Sequence, residues 1–285
     1  MKKSIRFIFV FIIIFSFIGC GQAKLTTNTE LNGDTNKESK TLASEVDVNS
    51  GSEEEQDTEY EYIEDTEQIE ENEIEINPEK IIVIDPGHAD RSNLEKEAIA
   101  PGSTTTKIKD GGGAVGFYTK TPEYLVNMNV AMYLKTELEN IGYKIIMTKT
   151  DNSISLGNIE RAEIGNQNNA DLVIRIHADS NNDHSAYGAS MLVPSISSPY
   201  TTSIYERSRY YGETIINSYC EELGMRNRGI SERQDITGFN FSKVPVVLIE
   251  MGFLSNENED NLLSSDEFQR KAAIAIKNGI VKAMN

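Results

Sequence analysis

DLVIRIH, at residues 171–177, is a short run in which four apolar side chains and one Arg lie between an Asp and a His. Comparable runs rich in Ile and Val occur at four more places: IIVID (81–85), YKIIMTK (143–149), GASMLVP (188–194) and VPVVLIEM (244–251). Runs of this length and composition are typical of strands buried inside a sheet. The sequence therefore predicts strands at all five places.

The segments between these runs have helical patterns. Thr121 is a suitable cap residue, Pro122 suits the first helical position, and Glu123 puts an acid in the first turn. Apolar residues then recur at the spacing of one buried helical face. Further helices are predicted at about 156–169, 200–223 and 265–283. Strands that alternate with helices predict an α/β fold, with a mainly parallel twisted sheet of about six strands and helices on both faces.

Three residues are candidate metal ligands because the predicted fold brings them to one edge of the sheet. His88 lies three residues after the strand at 81–85, and His177 closes the strand at 171–177. Ligands bind at the carboxyl ends of the strands in sheets of this kind, and Glu123 can point back to that edge from its helix. Two imidazoles and one carboxylate, with a position left for water, form the ligand set of a catalytic zinc site. Taken singly, His88 could be an ordinary loop residue and His177 a hydrogen-bonded strand end, but their joint placement favours the metal site.

Glu250 is the candidate proton carrier, whereas His184 and Cys220 are assigned no chemistry. Glu250 follows a run of apolar residues, where an acid is costly to bury without a partner. A second carboxylate beside a zinc site can move a proton from water to a leaving amine. His184 follows turn-forming residues and is predicted to lie in an exposed loop, at most near a substrate. Cys220 has no His nearby in the sequence and is predicted to be a small buried residue.

Four motifs resemble those of a known family in their order and context. They are IVIDPGH (82–88), the helix start at Glu123, IRIHADS (174–180) and VPVVLIEMGFLSN (244–256). Together they are similar to motifs of the bacterial zinc-dependent N-acetylmuramoyl-L-alanine amidases. The resemblance covers roughly residues 81–285, which are therefore expected to be the catalytic domain.

The resemblance implies a phosphorylase/hydrolase-like fold and a specific reaction. One zinc ion would be held by His88, Glu123 and His177, and Glu250 would be the catalytic acid and base. The implied substrate is peptidoglycan, cut at the amide that joins the lactyl group of N-acetylmuramic acid to L-alanine of the stem peptide.

Two features depart from the family pattern. ADRSNLEKEAIAPGSTTTKIK (89–109) makes the segment before Glu123 longer than is usual in the family. A long segment beside a metal site could act as a lid or substrate clamp, or could be an idle surface insertion. Lys149 stands where the family commonly has Arg, which keeps the charge but loses the planar fork. Neither departure changes a proposed ligand.

The start of the chain is predicted to be an export signal. Three basic residues precede the mostly apolar run from Phe7 to Ile18. As a helix this run would span about 18 Å, which is short of the ~30 Å hydrocarbon core of a bilayer. Residues 1–19 are therefore predicted to be a lipoprotein signal peptide. Cys20 follows a glycine as in a bacterial lipobox, with Phe17 where Leu is usual, so that lipidation of Cys20 is expected. A plain signal peptide with an incidental Cys is the alternative.

Residues 20–80 are predicted to be an acidic disordered linker. Positions 21–80 carry 19 acidic and 4 basic side chains, and low hydrophobicity with high like charge is typical of disorder. The linker would let a domain that is exported and lipid-anchored to the outer face of the cell membrane reach the cell wall. The acidic run could also serve only to keep the protein soluble.

Two other functions remain open. The chain could be another zinc peptidase or a deacetylase that acts on the cell wall, or an inactive regulator that binds peptidoglycan. Nucleic-acid binding is disfavoured by the predicted export and by the 26 acidic against 20 basic side chains in residues 81–285. The expected partners are peptidoglycan and, through the lipid, the membrane, whereas the sequence does not identify a protein activator.

Overall fold

A computed structural model of the chain describes residues 80–285. The predicted signal peptide at 1–19, the lipidation of Cys20 and the acidic linker at 20–80, apart from Lys80, lie outside the described residues. From residue 80 to the end of the chain, no helix is both long enough and apolar enough to cross a membrane.

The described residues form eight strands and six helices. The strands are β1 (Ile81–Pro86), β2 (Asn93–Ala98), β3 (Thr106–Asp110), β4 (Lys144–Met147), β5 (Leu172–Asp179), β6 (Ala189–Pro194), β7 (Asn227–Arg233) and β8 (Val246–Phe253). The helices are α1 (Glu123–Glu139), α2 (Asn158–Gln167), α3 (Tyr205–Leu223), α4 (Thr237–Asn240), α5 (Glu257–Leu263) and α6 (Asp266–Met284).

Six of the strands form one sheet in the order β4-β1-β5-β8-β6-β7. The first four strands of this order are parallel, β6 runs antiparallel to β8, and β7 is parallel to β6. β2 and β3 form a separate antiparallel hairpin. The predicted α/β fold with a mainly parallel sheet of about six strands is confirmed.

The sheet has a core on each face because successive side chains of a strand point to opposite sides. Ile82 and Ile84 of β1 pack in the larger core, which includes α1, α3 and α6. Val83, between them, packs in a smaller core with Phe239 of α4 and Ile164 of α2. The predicted placement of helices on both faces is therefore also confirmed.

Four strands differ from the sequence prediction in direction or existence. β6 runs antiparallel because only residues 180–188 join it to β5, and a parallel return needs a longer crossover. β7, with the sequence NRGISER, was not predicted because it is a polar edge strand without an apolar run. The hairpin of β2 and β3 lies in the segment 89–109 that was predicted as a lid, a clamp or an idle insertion.

Candidate metal centre and its surroundings

Three elements bring the predicted metal ligands together at the carboxyl edge of the sheet. His88 follows β1, His177 lies near the end of β5, and Glu123 is the first residue of α1. The structure places one donor atom from each within 4.8 Å of the others. Glu123 Oε1 lies 3.5 Å from His88 Nε2 and 3.2 Å from His177 Nδ1. The three side chains form a candidate metal site.

Two glycines make this close approach possible. A Cβ on Gly87 would lie 2.2 Å from the imidazole ring of His177, and a Cβ on Gly113 would lie 2.9 Å from the ring of His88. His88 itself has a positive φ of 61°, a conformation that is uncommon for a residue with a side chain. The Pro-Gly-His turn therefore positions the first histidine through backbone geometry.

Asp110, which the sequence analysis missed, fixes the orientation of His88. Its Oδ1 lies 2.7 Å from His88 Nδ1 and also accepts a hydrogen bond from the Gly112 N–H at 2.9 Å. A carboxylate on one ring nitrogen sets the tautomer of a histidine and leaves the other nitrogen for a metal. The signal was an acid directly before the Gly-Gly-Gly turn at 111–113.

Glu123 is buried and carries its negative charge at neutral pH. Its carboxylate accepts hydrogen bonds from the Ala114 N–H at 2.7 Å, the Ala178 N–H at 3.2 Å and Asn127 Nδ2 at 3.1 Å. Burial alone would raise the pKa of Glu123, but the hydrogen bond with His177 and the positive charge that either histidine can carry lower it to about 2.

His177 is buried and neutral at the same pH. Burial lowers the pKa of His177 to about 4, because the desolvation of an imidazolium outweighs its hydrogen bond to Glu123. Its Nε2 is buried and has no hydrogen-bond partner among residues 80–285. A neutral imidazole and an ionised carboxylate are the protonation states that metal binding requires.

Glu250 lies beside this cluster on the neighbouring strand. Its backbone pairs in register with that of His177 between β8 and β5, so that both side chains project to the same face of the sheet. Oε2 of Glu250 is inaccessible to solvent and has no hydrogen-bond partner in the described part of the chain. Burial, followed by the charges of Glu123 and Asp179, raises the pKa of Glu250 well above its usual range.

Glu250 also faces a cavity of about 330 Å³ between the ends of β6, β7 and β8. The charged residues that line it are Asp179, Arg228 and Arg233 together with Glu250. Arg233 forms a bidentate ion pair with Asp235, with N···O distances of 2.8 and 2.7 Å. β7, the strand that the sequence analysis missed, supplies both arginines of this wall.

A buried ion network lies beneath the candidate site. Asp85 accepts hydrogen bonds from Arg161 at 2.5 Å, Arg175 at 2.8 Å and Thr148 at 2.7 Å. Burial opposes its ionisation, but the two guanidinium groups hold the pKa of Asp85 well below its usual range. This network was not predicted from the sequence, although a charged residue in each of the buried strands IIVID and DLVIRIH was its signal.

The hairpin of β2 and β3 is fastened to the body of the domain. Glu97 of β2 accepts hydrogen bonds from the N–H groups of Asn158 at 3.0 Å and Ile159 at 3.1 Å, at the start of α2. Asn240 of α4 donates to the Ile99 carbonyl at 3.0 Å. The hairpin therefore covers the N-terminus of α2 and forms one wall of a second cavity beside the metal ligands.

Three other residues singled out in the sequence have no donor atom in the metal cluster. Lys149 is buried and its Nζ donates to Asn152 Oδ1 at 3.1 Å; burial and then the charge of Arg161 lower its pKa to about 8. His184, predicted as an exposed loop residue, is only partly exposed because its ring lies 4.1 Å from the ring of Phe117. Cys220 is buried as predicted, and burial raises its pKa to about 11.

Known proteins share this sequence pattern and this fold. Residues 82–282 match the family model described as N-acetylmuramoyl-L-alanine amidase, Amidase_3. The uncharacterized protein YqiI of Bacillus subtilis strain 168 is 30% identical over 162 residues, which cover 54% of this chain and 71% of that protein.

Two proteins named as amidases are also similar. The N-acetylmuramoyl-L-alanine amidase AmiC of Neisseria meningitidis serogroup B is 26% identical over 245 residues, which cover 72% of this chain and 53% of that protein. The crystal structure of the apo form of Ami1, an N-acetylmuramyl-L-alanine amidase of Mycobacterium abscessus, has 26% identity and a TM-score of 0.66. The matched region covers 73% of this chain and 99% of the Ami1 chain.

Proposed function

The chain belongs to the N-acetylmuramoyl-L-alanine amidase family, and from that premise we propose that it hydrolyses peptidoglycan with the help of a zinc ion. The bond cut is the amide between the lactyl group of N-acetylmuramic acid and L-alanine. The observation that carries the proposal is the cluster of His88, Glu123 and His177 beside Glu250, whose Oε2 is buried without a partner.

The three side chains fit a zinc ion in their chemistry and their spacing. Two neutral imidazoles and one ionised carboxylate are a frequent donor set of catalytic zinc, and the buried Nε2 of His177 lacks a partner. When bound, zinc would polarise the scissile carbonyl and lower the pKa of water. Asp110 would hold His88 in the tautomer that presents Nε2 to the metal.

Glu250 would carry the proton that amide hydrolysis has to move. Its carboxylate would take a proton from the attacking water and give it to the nitrogen of the departing L-alanine. The carbon–nitrogen bond then breaks and leaves a lactyl carboxylate and a free amino terminus. A raised pKa suits both halves of this transfer, because an acid–base group works best when its pKa lies near the working pH.

Glu250→Gln in the full-length chain tests this assignment. We expect the zinc content, measured by plasma mass spectrometry, to be unchanged, while hydrolysis of purified peptidoglycan falls by ~10²–10⁴-fold. Glu221→Gln, an exposed residue of α3, is the matched control and should change neither quantity. A Glu250→Gln variant with full activity would refute the mechanism.

Analysis of the products separates the proposed reaction from its rivals. An amidase releases stem peptides with free L-alanine amino termini and leaves glycan chains and peptide cross-links intact. Cleaved cross-links would indicate a peptidase, and released acetate would indicate a deacetylase. A chain that binds peptidoglycan but yields none of these products would be an inactive regulator.

We also propose that the enzyme is exported and lipid-anchored at Cys20 on the outer face of the membrane. The support is the sequence alone, namely the short apolar run before Cys20 and the acidic segment after it. Cys20→Ala should move the mature chain from the membrane fraction to the soluble fraction of cells. Unchanged partitioning would disprove the anchor without bearing on the amidase reaction.

A further inference from the structure

A second cavity, of about 270 Å³, adjoins the candidate metal site on the side of the hairpin. Its walls include His88, His177 and Asp110 from the site. Four cationic side chains also line it, namely Lys107 and Lys109 of β3, Arg161 of α2 and Arg175 of β5. A substrate group seated here would be next to the metal ligands.

Positive charge is in excess in the walls of this cavity. Arg161 and Arg175 share one carboxylate, that of Asp85. Lys107 donates only to a neutral group, the Asp235 carbonyl at 3.2 Å. Among the acids nearby, Asp110 is engaged by His88, and Glu97 caps α2. Burial is the main cause that lowers the pKa of Lys107, and the neighbouring charge of Arg175 lowers it further against the opposing charges of Asp235 and Glu97.

Among the described residues, Lys109 forms a salt bridge only with an exposed acid. Its Nζ lies 3.0 Å from Oε2 of Glu95, whose side chain is 75% exposed. An ion pair of this kind contributes little because solvent screens it. Lys109 can therefore turn to an anion inside the cavity at small cost.

The cavity at Glu250 does not have this excess. Its two arginines, Arg228 and Arg233, face two acids, Asp179 and Glu250, and Arg233 is also paired with Asp235. An anionic group of a substrate would therefore bind more favourably on the side of the hairpin.

We propose that the cavity between the hairpin and the metal ligands binds a carboxylate of the stem peptide close to the scissile amide. This inference rests on the proposed function. The lactyl carboxyl of the sugar is consumed in the scissile amide, so that the free carboxylate nearest to that bond belongs to the peptide. Lys107 and Lys109 would then be specificity-determining residues supplied by the hairpin.

Two substrates that differ in one group test this directly. They are muramoyl tripeptides whose second residue carries either a free α-carboxylate or the corresponding primary amide. We expect the wild-type chain to cleave the carboxylate form with a kcat/KM higher by about tenfold, because a hydrogen bond to a charged group has roughly this value. The double variant Lys107→Gln, Lys109→Gln should lose the preference, and Lys107→Arg, Lys109→Arg should keep it.

Lys96→Gln is the matched control, because Lys96 lies on the other strand of the same hairpin, is exposed and does not line the cavity. Thermal melts of all variants identify a loss of preference that comes from unfolding. Equal cleavage of the two substrates by the wild-type chain, or a preference that survives in the glutamine variant, would overturn the proposal.

The same variants separate this proposal from failure of the proposed function and from a different anion. If the wild-type chain cleaves neither substrate, the amidase reaction fails. Calorimetric binding of the two tripeptides freed of their sugar, with the same expected preference, then tests the cavity by itself. Inorganic phosphate that inhibits the wild-type chain equally on both substrates, but not the glutamine variant, would reassign the cavity to a phosphate and overturn the proposal.

Discussion

The two sides of the candidate site each hold a carboxylate, but in opposite environments. On the side of the histidines, Glu123 accepts two backbone N–H groups and has a pKa lowered to about 2. On the side of β8, Glu250 has one oxygen without a partner and a pKa raised well above its usual range. Environments that push the pKa values of two acids apart in this way fit the two tasks proposed for them, a charged ligand and a proton carrier.

This contrast is set by the backbone and not by the residue type. Glu123 lies at the start of α1, where the chain of the loop before it and the end of β5 both direct N–H groups at the carboxylate. Glu250 lies inside a strand whose own N–H groups are used in the sheet. Its carboxylate therefore loses hydration without gaining donors.

Glu123→Gln should have the largest effect, because it removes the only anionic donor of the proposed metal site. We expect zinc to be lost on dialysis and peptidoglycan hydrolysis to fall by more than the ~10²–10⁴-fold expected for a proton carrier. Plasma mass spectrometry and the hydrolysis assay measure the two quantities on one sample. A variant that keeps its zinc would mean that Glu123 is not a ligand.

Glu250→Gln should change the stability of the folded chain as well as its activity. Because the pKa of Glu250 is raised in the folded state, the folded chain keeps a proton at pH values where the unfolded chain releases it. The free energy of unfolding therefore falls as the pH rises from the ordinary pKa of Glu to the pKa in the folded state. In the metal-free chain the variant should therefore be more stable than the wild type at pH 7, with a smaller difference at pH 4.

Urea denaturation at several pH values measures this difference. Glu221→Gln, with an exposed carboxylate on α3, should give a curve parallel to that of the wild type. A Glu250→Gln variant that is less stable than the wild type at pH 7 would show that the carboxylate of Glu250 has favourable partners in the folded chain, and the contrast with Glu123 would disappear.

The sequence was informative where burial imposes a repeated pattern. Four of the first five residues of β5 are apolar because helices cover both of its faces, and His177 near the end of β5 could be aligned with His88, just after β1, from the parallel direction alone. β7 has no such pattern because it is an edge strand, and so its arginines were not placed beside Glu250.

Partners that are distant in sequence were harder to predict than the ligands themselves. Asp110 contacts His88 because the hairpin of β2 and β3 returns the chain to the carboxyl edge of the sheet. The alternation of polar and apolar residues in β2 and β3 is too weak to predict that hairpin. Asp85, Arg161 and Arg175 were visible as charged residues in buried segments, but their pairing depends on the register of the strands and the position of α2.

Asp110→Asn should have an intermediate effect, confined to the histidine side. The Asn side chain can still contact His88 Nδ1 but supplies no charge, and the loss of such a carboxylate weakens metal binding by ~10–100-fold in comparable sites. Competition for zinc with a chromogenic chelator measures the change. Asp90→Asn, an exposed residue of the loop that carries His88, is the control. Equal zinc affinity in the two variants would show that Asp110 does not orient His88.

Asp179→Asn should have the smallest effect and should act only on the Glu250 side. Asp179 is third, after burial and Glu123, among the causes that raise the pKa of Glu250. Removing its charge lowers the pKa of Glu250, so that the part of the pH–rate profile governed by this group should move to lower pH while zinc content stays constant. The shift is largest at low ionic strength, where exposed charges are less screened.

Asp183→Asn, in the exposed part of the loop after β5, should leave the profile in place. A profile that moves to higher pH in Asp179→Asn would contradict the electrostatic origin of the contrast. Because the two carboxylates of the comparison belong to one candidate metal site, a change that moves the profile without changing zinc content would show that the proposed proton carrier can be tuned separately from the proposed ligand.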